Sequence, residues 1–329
     1  MTYRRWLWPA LILTTLIALT LSVGVGSASI PPARALAALV GHGDPVERAI
    51  LIELRLPRAI LGLAVGAILG LAGAALQGYL RNPLAEPSVL GASNGAALGA
   101  VVALYFGLAT AQEIALPVLA IVGALVALGV LLALARRSDS ALTLILAGIA
   151  ISTLSVAGTS LALNLSPNPF AAMEIMTWLM GSLEDRSFRH VALALPCIAS
   201  GAALLAGQGR ALDALTLGED GAAALGVDLA RTRIRLLLGV AIGVGGAVAV
   251  SGAIGFVGLI VPHLIRPLTD RTPSAILWPS ALAGAALLTL ADVAVRVIPT
   301  TNELKLGVVT AFLGVPVFLL HLMRERRLW

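Results

Sequence analysis

Residues 236–265 read LLLGVAIGVGGAVAVSGAIGFVGLIVPHLI, a run free of Asp, Glu, Lys and Arg. Arg231, Arg233 and Arg235 precede it, and Arg266 and Arg271 follow it. Basic residues mark the cytoplasmic side of a membrane protein, so a single crossing would strand one of these clusters outside. Two short crossings keep both inside. Ser251-Gly252-Ala253-Ile254-Gly255 supplies the reversal, because glycine lets the backbone turn and irregular backbone at membrane depth is tolerated when buried in protein.

Working outward, eight further stretches lack acidic and basic residues: 6–33, 59–80, 87–112, 114–135, 140–173, 190–209, 272–291 and 306–323. Each is long enough to span a bilayer as a helix. Hydrophobic residues make up 59% of the chain and charged residues 12%, with mean hydropathy +0.97, which excludes a soluble globular domain. The expected fold is all-α, a polytopic membrane protein of ten helices with both termini cytoplasmic. It forms one domain over 1–329, with a cytoplasmic loop at about 210–231. In that topology the external segments hold Arg34, Arg48, Arg55, Arg58, Arg186, Arg189, Arg296 and Lys305, and every other basic residue is cytoplasmic. The basic balance therefore reports orientation. It does not form a nucleic-acid patch, since the arginines are spread over many loops.

The N-terminus has features of a signal peptide, Arg4 and Arg5 before an apolar run and Ser27-Ala28-Ser29 after it. The run is too long, and an uncleaved first span supplies a crossing that the charge pattern needs. Gly62, Gly66, Gly70 and Gly73 line one face of the second span, the spacing that lets helix backbones approach closely in lipid. That helix is expected at the centre of the bundle. Cys197 is the only cysteine, so it forms no intramolecular disulfide and is read as a packing residue.

Lys305 is the only lysine, and no Gly-Lys-Ser/Thr phosphate loop is present. Nucleotide hydrolysis by such a loop therefore belongs to another protein. The histidines are scattered at 42, 190, 263 and 321, so no metal site, catalytic residue or cofactor of its own is expected. A proton- or sodium-coupled carrier would bury ionisable groups at mid-membrane. Here the spans hold only His263, read as structural, and Asp292 at an edge, expected to pair with Arg296 four residues on.

Gly218-Glu219-Asp220-Gly221-Ala222-Ala223-Ala224-Leu225-Gly226 lies between two of these spans. Its acidic head suits the start of a short helix and its terminal glycines suit sharp turns. With Leu217 and Leu225 as apolar contacts, it is expected to be a docking knob through which energy enters.

Several segments together resemble the FecCD-type permeases. They are Leu54-Arg55-Leu56-Pro57-Arg58, Gln77-Gly78-Tyr79-Leu80-Arg81-Asn82-Pro83-Leu84-Ala85-Glu86-Pro87, Gly91-Ala92-Ser93-Asn94-Gly95, Trp178-Leu179-Met180-Gly181 and residues 252–263. The resemblance runs over nearly the whole chain. It implies the membrane subunit of an ATP-binding cassette importer in a bacterial cytoplasmic membrane, working by alternating access. The implied partners are a second permease subunit, identical or paralogous, two cytoplasmic ATPase subunits that bind the ATP, and an external substrate-binding protein. The implied cargo is a metal chelate, with a ferric siderophore expected first and haem or cobalamin as alternatives. An ATP-independent pore is the competing class.

Carried over residue by residue, the resemblance implies ATPase coupling at Leu217, Gly218, Glu219, Gly221, Leu225 and Gly226. It implies a cytoplasmic gate at Asn82, Pro83 and Leu84 with Ser140, Ala141 and Leu142, and docking of the binding protein at Arg55, Arg58 and Arg296. Lys305 departs from the family pattern, which has proline there.

Overall fold

The computed structural model describes residues 3–325 apart from 27, 113, 136–140, 301 and 302. The described residues are helical or irregular, with no strand among them. The apolar helices include α1 (Tyr3–Gly24), α2 (Leu56–Leu80), α3 (Ala92–Tyr105), α4 (Ala115–Ala135), α5 (Ala141–Asn164), α6 (Phe188–Ala206), α7 (Leu229–Ser251), α8 (Val257–Ile265), α9 (Pro273–Val297) and α10 (Leu306–Glu325). Among the described residues seven of these are long and apolar enough to cross a membrane, while α3, α8 and α10 offer shorter apolar lengths.

α2 is apolar all round and buried along most of its length, the mark of a helix at the middle of a bundle. Its glycines explain how. A Cβ at Gly66 would collide with the Gly284 carbonyl, one at Gly70 with the Ser280 carbonyl, and one at Gly73 with the Gly258 carbonyl. At Gly62 a Cβ would lie 3.1 Å from Thr289 Oγ1. One glycine face thus seats α9 over three turns and α8 beyond it, replacing side-chain interdigitation with backbone contact.

The run at 236–265 does break, but asymmetrically. α7 begins at Leu229 and continues to Ser251, whereas α8 has nine residues and is prolonged only by the 3-10 turn Arg266–Leu268. Two short crossings were expected; the first helix is longer because the polar residues before 236 join it, Asp228 capping it by accepting from Arg231 N at 2.9 Å. The break is made at Gly252, whose φ of 68° favours glycine. A Cβ there would strike the Trp178 carbonyl. Ser182 N donates to the Ser251 carbonyl at 2.8 Å and Gly307 N to the Gly181 carbonyl at 3.4 Å. The irregular segment is thereby packed between the Trp178–Gly181 stretch and the start of α10, where its polar groups are met inside the protein.

The apolar stretch 140–173 is also divided. α5 ends at Asn164, and a second helix, Pro169–Leu179, starts where Asn168 accepts from Ala171 N at 2.9 Å.

Candidate functional site

α2 and α9 run antiparallel, so their ends define two faces of the bundle. Arg58 lies at one end of α2 and Gly78 at the other, about 30 Å apart at 1.5 Å per residue, close to the thickness of a bilayer's apolar core.

At the Arg58 face, two arginines cap α1. The last carbonyls of a helix lack intrahelical donors. Arg55, 5% exposed, donates from Nη1 to the carbonyls of Val23 at 3.1 Å and Gly24 at 2.8 Å, and from Nη2 to that of Ala28. Arg296 Nη1 donates to the carbonyls of Ser22 at 2.9 Å and Val25 at 2.8 Å, and its Nη2 to Ser22 Oγ at 2.9 Å. Arg58 is held by two carboxylates: Nε and Nη2 donate to Asp292, Nη1 to Glu303 Oε2 at 3.1 Å, and Nη2 also to Glu303 Oε1. The expected Asp292–Arg296 pair is present at 3.2 Å, but Asp292 is shared with Arg58. Lys305 Nζ meets Glu184 Oε2 at 2.7 Å, tying the start of α10 to the loop before α6. Burial lowers the Arg186 guanidinium from its ordinary pKa, opposed by the neighbouring Asp185 and Glu184. Arg55, Arg58, Arg296, Glu303, Glu184 and Arg186 line a cleft of about 350 Å³. The three arginines expected to dock a partner thus spend most of their donors inside the chain.

At the opposite face, the segment around 210–231 folds into two short helices, Gly209–Leu215 and Glu219–Ala224, joined at Gly218 with φ 94°. Leu212, Leu215 and Ala222 are buried, whereas Leu217 and Leu225 are 69% and 65% exposed. The second helix ends in a Schellman turn, with Val227 N donating to the Ala222 carbonyl at 3.0 Å and Gly226 N to that of Ala223 at 2.9 Å. Gly226 takes φ 84°. Asp213 Oδ1 accepts from Ser274 N at 2.9 Å, anchoring this pair to the start of α9. Glu219 heads its helix and is half-buried, and a Cβ on Gly221 would come 3.0 Å from Leu217 Cβ. The result is an anchored pair of short helices carrying two exposed leucines.

Next to it, Asn82, Pro83 and Leu84 form the turn after α2. Asn82 Oδ1 accepts from Leu84 N at 2.9 Å and Asn82 N donates to the Gln77 carbonyl at 3.3 Å. Ser140 lies outside the described residues; Ala141 and Leu142 open α5, and Leu84 and Leu142 are exposed. Gly91-Ala92-Ser93-Asn94-Gly95 has the letters of a nucleophile elbow, but it opens α3 and has none of the strand-to-helix geometry that motif requires. Among the described residues no His, Cys, Asp and Glu cluster could hold a metal ion.

Sequence reading assigned no role to Gln77, Glu184 or Glu303. Gln77 was visible as a polar residue inside an otherwise apolar span; the two glutamates, in loops, carried no signal.

An apolar helical bundle with seven membrane-length helices among the described residues is the architecture of an integral membrane protein. The FecCD transport family profile matches residues 13–324, and the chain belongs to that family. The ABC transporter permease protein YvrB of Bacillus subtilis (strain 168) is 42% identical over 293 residues, covering 88% of this chain and 82% of YvrB. The vitamin B12 import system permease protein BtuC of Salmonella typhi is 39% identical over 328 residues, covering 98% and 96%. A solved structure of a metal-chelate type ABC transporter in an inward-facing conformation superposes with a TM-score of 0.86 at 31% identity, covering 97% of this chain and 99% of that one.

Proposed function

We propose that this chain is the membrane-spanning subunit of an importer that moves a metal chelate inward by alternating access, driven by ATPase subunits at the Leu217–Gly226 face. The observation that carries this reading is the near-complete superposition on a metal-chelate type ABC transporter. In this reading α1 to α10 make ten crossings, with α3, α8 and α10 completed by the irregular segments beside them. The face of the short helices is cytoplasmic, and the face of Arg55, Arg58 and Arg296 is external. The exposed Leu217 and Leu225 enter a groove on an ATPase subunit, and the rim held by the three arginines receives the binding protein. Asn82, Pro83 and Leu84, with Ser140, Ala141 and Leu142, narrow the inner end of a path shared with a second permease subunit.

A ferric siderophore is the cargo expected from sequence resemblance. The likeness to a vitamin B12 permease over almost the whole chain favours a corrinoid instead. Uptake by a strain lacking the chain's gene separates the two: loss of cobalamin accumulation with ferric-siderophore uptake intact supports the corrinoid, and the reverse supports the siderophore. Unchanged accumulation of both, and of haem, rejects chelate import.

A further inference from the structure

α8 contains Pro262, and proline has no N–H to offer the carbonyl four residues back. The carbonyl left over is that of Gly258, buried in apolar surroundings where an unmet acceptor is unfavourable. Gln77 of α2 provides donors from across the helix interface. Its Nε2 lies 3.4 Å from the Gly258 oxygen and 3.2 Å from the Leu259 oxygen. Its Oε1 accepts from Arg266 Nη2 at 3.0 Å, at the far end of α8. One turn earlier on α2, Gly73 rests directly on the Gly258 carbonyl. With Gln77 only 2% exposed, α8 is fastened to α2 at both ends of its length.

The same turn of α2 meets the other parts of this face. The Gln77 backbone carbonyl accepts from Arg81 N and Asn82 N, so the Asn82–Leu84 turn hangs from it. Gly78 faces the short helix Gly209–Leu215 and the start of α9: a Cβ there would lie 3.1 Å from Pro273 Cβ and 3.7 Å from Leu212 Cδ2. Two adjacent residues therefore join the base of the Leu217–Gly226 projection, the proposed gate turn and α8.

We infer that Gln77 is a positioning residue for transport, the link that makes α8 and the Asn82–Leu84 turn follow a displacement of the short cytoplasmic helices. The inference rests on the permease reading above. Gly78 receives the displacement through Leu212 and Pro273, and Gln77 passes it to α8 through its amide. Without that amide, α2 and α8 still touch at Gly73, but the Gly258 and Leu259 carbonyls and Arg266 lose their bonds to Gln77.

The test uses the permease assembled with its ATPase subunits in lipid nanodiscs, carrying Leu84→Cys in a Cys197→Ser background, with maleimide labelling followed with and without ATP. In this background ATP is expected to change the labelling rate. Gln77→Met, similar in size and apolar, is expected to shrink that change by roughly fivefold or more, the low end of coupling between sites, while ATP hydrolysis continues. Arg266→Met cuts only the bond to Gln77 Oε1 and is expected to give a smaller loss, with the double variant no worse than Gln77→Met alone. Should Gln77→Met fail to assemble, Gln77→Glu, which keeps an acceptor for Arg266 but has no amide donor for the Gly258 and Leu259 carbonyls, decides instead. A full ATP-dependent change in the assembled variants, or additive losses in the double variant, overturns the role of Gln77. No ATP-dependent change in the unsubstituted Gln77 background overturns the permease reading, and the inference with it.

Discussion

Arg58 on α2 grips Asp292 on α9 through both Nε and Nη2, at 3.0 and 2.8 Å, with side-chain exposures of only 11% and 1%. The two helices are thus pinned by charge at one end and pressed together by glycines along the rest of their contact. Arg296 and Glu303 complete the cluster, so Arg58 and Arg296 face Asp292 and Glu303, while the buried Arg55 beside them is met by the carbonyls ending α1.

Removing one member of such a cluster leaves uncompensated charge. Asp292→Asn is expected to destabilise the protein by about 3 kcal/mol, the scale for breaking a buried pair. The check is a lowered melting temperature of the detergent-solubilised protein. An unchanged melting temperature would mean that the cluster contributes nothing to stability.

The glycine seam makes a prediction with an internal control. Gly70→Val places side-chain atoms against the Ser280 carbonyl, and overpacking of this kind destabilises by about 1–3 kcal/mol or more. Gly129→Ala meets nothing within 4 Å on a helix and should be neutral or stabilising by up to about 1 kcal/mol. Comparable folded yields of the two variants would contradict the packing described for α2 and α9.

Leu217 and Leu225 are exposed on a helix pair that is otherwise anchored by Leu212, Leu215 and Asp213. Burying one leucine contributes about 1.5 kcal/mol or more. Replacing both by Asp should therefore weaken retention of the ATPase subunits by roughly tenfold or more in co-purification, since each tenfold corresponds to about 1.4 kcal/mol. The permease alone should melt as before. Glu219→Arg should spare insertion yet reduce coupled ATP hydrolysis, because it reverses the charge at the start of the short helix.

Lys305 reaches Glu184 from a partly exposed position, with side-chain exposures of 20% and 37%. Lys305→Met is expected to change stability by no more than about 1 kcal/mol, as for other exposed pairs. A loss as large as that of Asp292→Asn would place Lys305 among the structural charges of this face.

The membrane helices, the central place of α2 and the break after Ser251 were legible in the sequence because they depend on local properties: runs without charge, glycine at helical spacing, and glycines that permit a turn. The projection at Gly218–Gly226 was legible for the same reason. The arginine face was not. Of its bonds only the Asp292–Arg296 pair, four residues apart, could be read; the other partners, Asp292 and Glu303 for Arg58 and the carbonyls ending α1 for Arg55 and Arg296, are far away in the chain. Gln77 was hidden by its charge neutrality: a search of the spans for ionisable residues passes over an amide whose bonding is set by Pro262 on another helix.

The most direct measurement is vectorial uptake. The chain is reconstituted in proteoliposomes with its ATPase subunits and binding protein, oriented so that ATP acts on the Leu217–Gly226 face, and labelled cobalamin and ferric siderophores are offered on the opposite face. ATP-dependent accumulation of the corrinoid, abolished by the double Leu217→Asp, Leu225→Asp variant, is the expected result. Chelate movement that ignores ATP, or no ATP-dependent accumulation of any chelate, would contradict import by this chain.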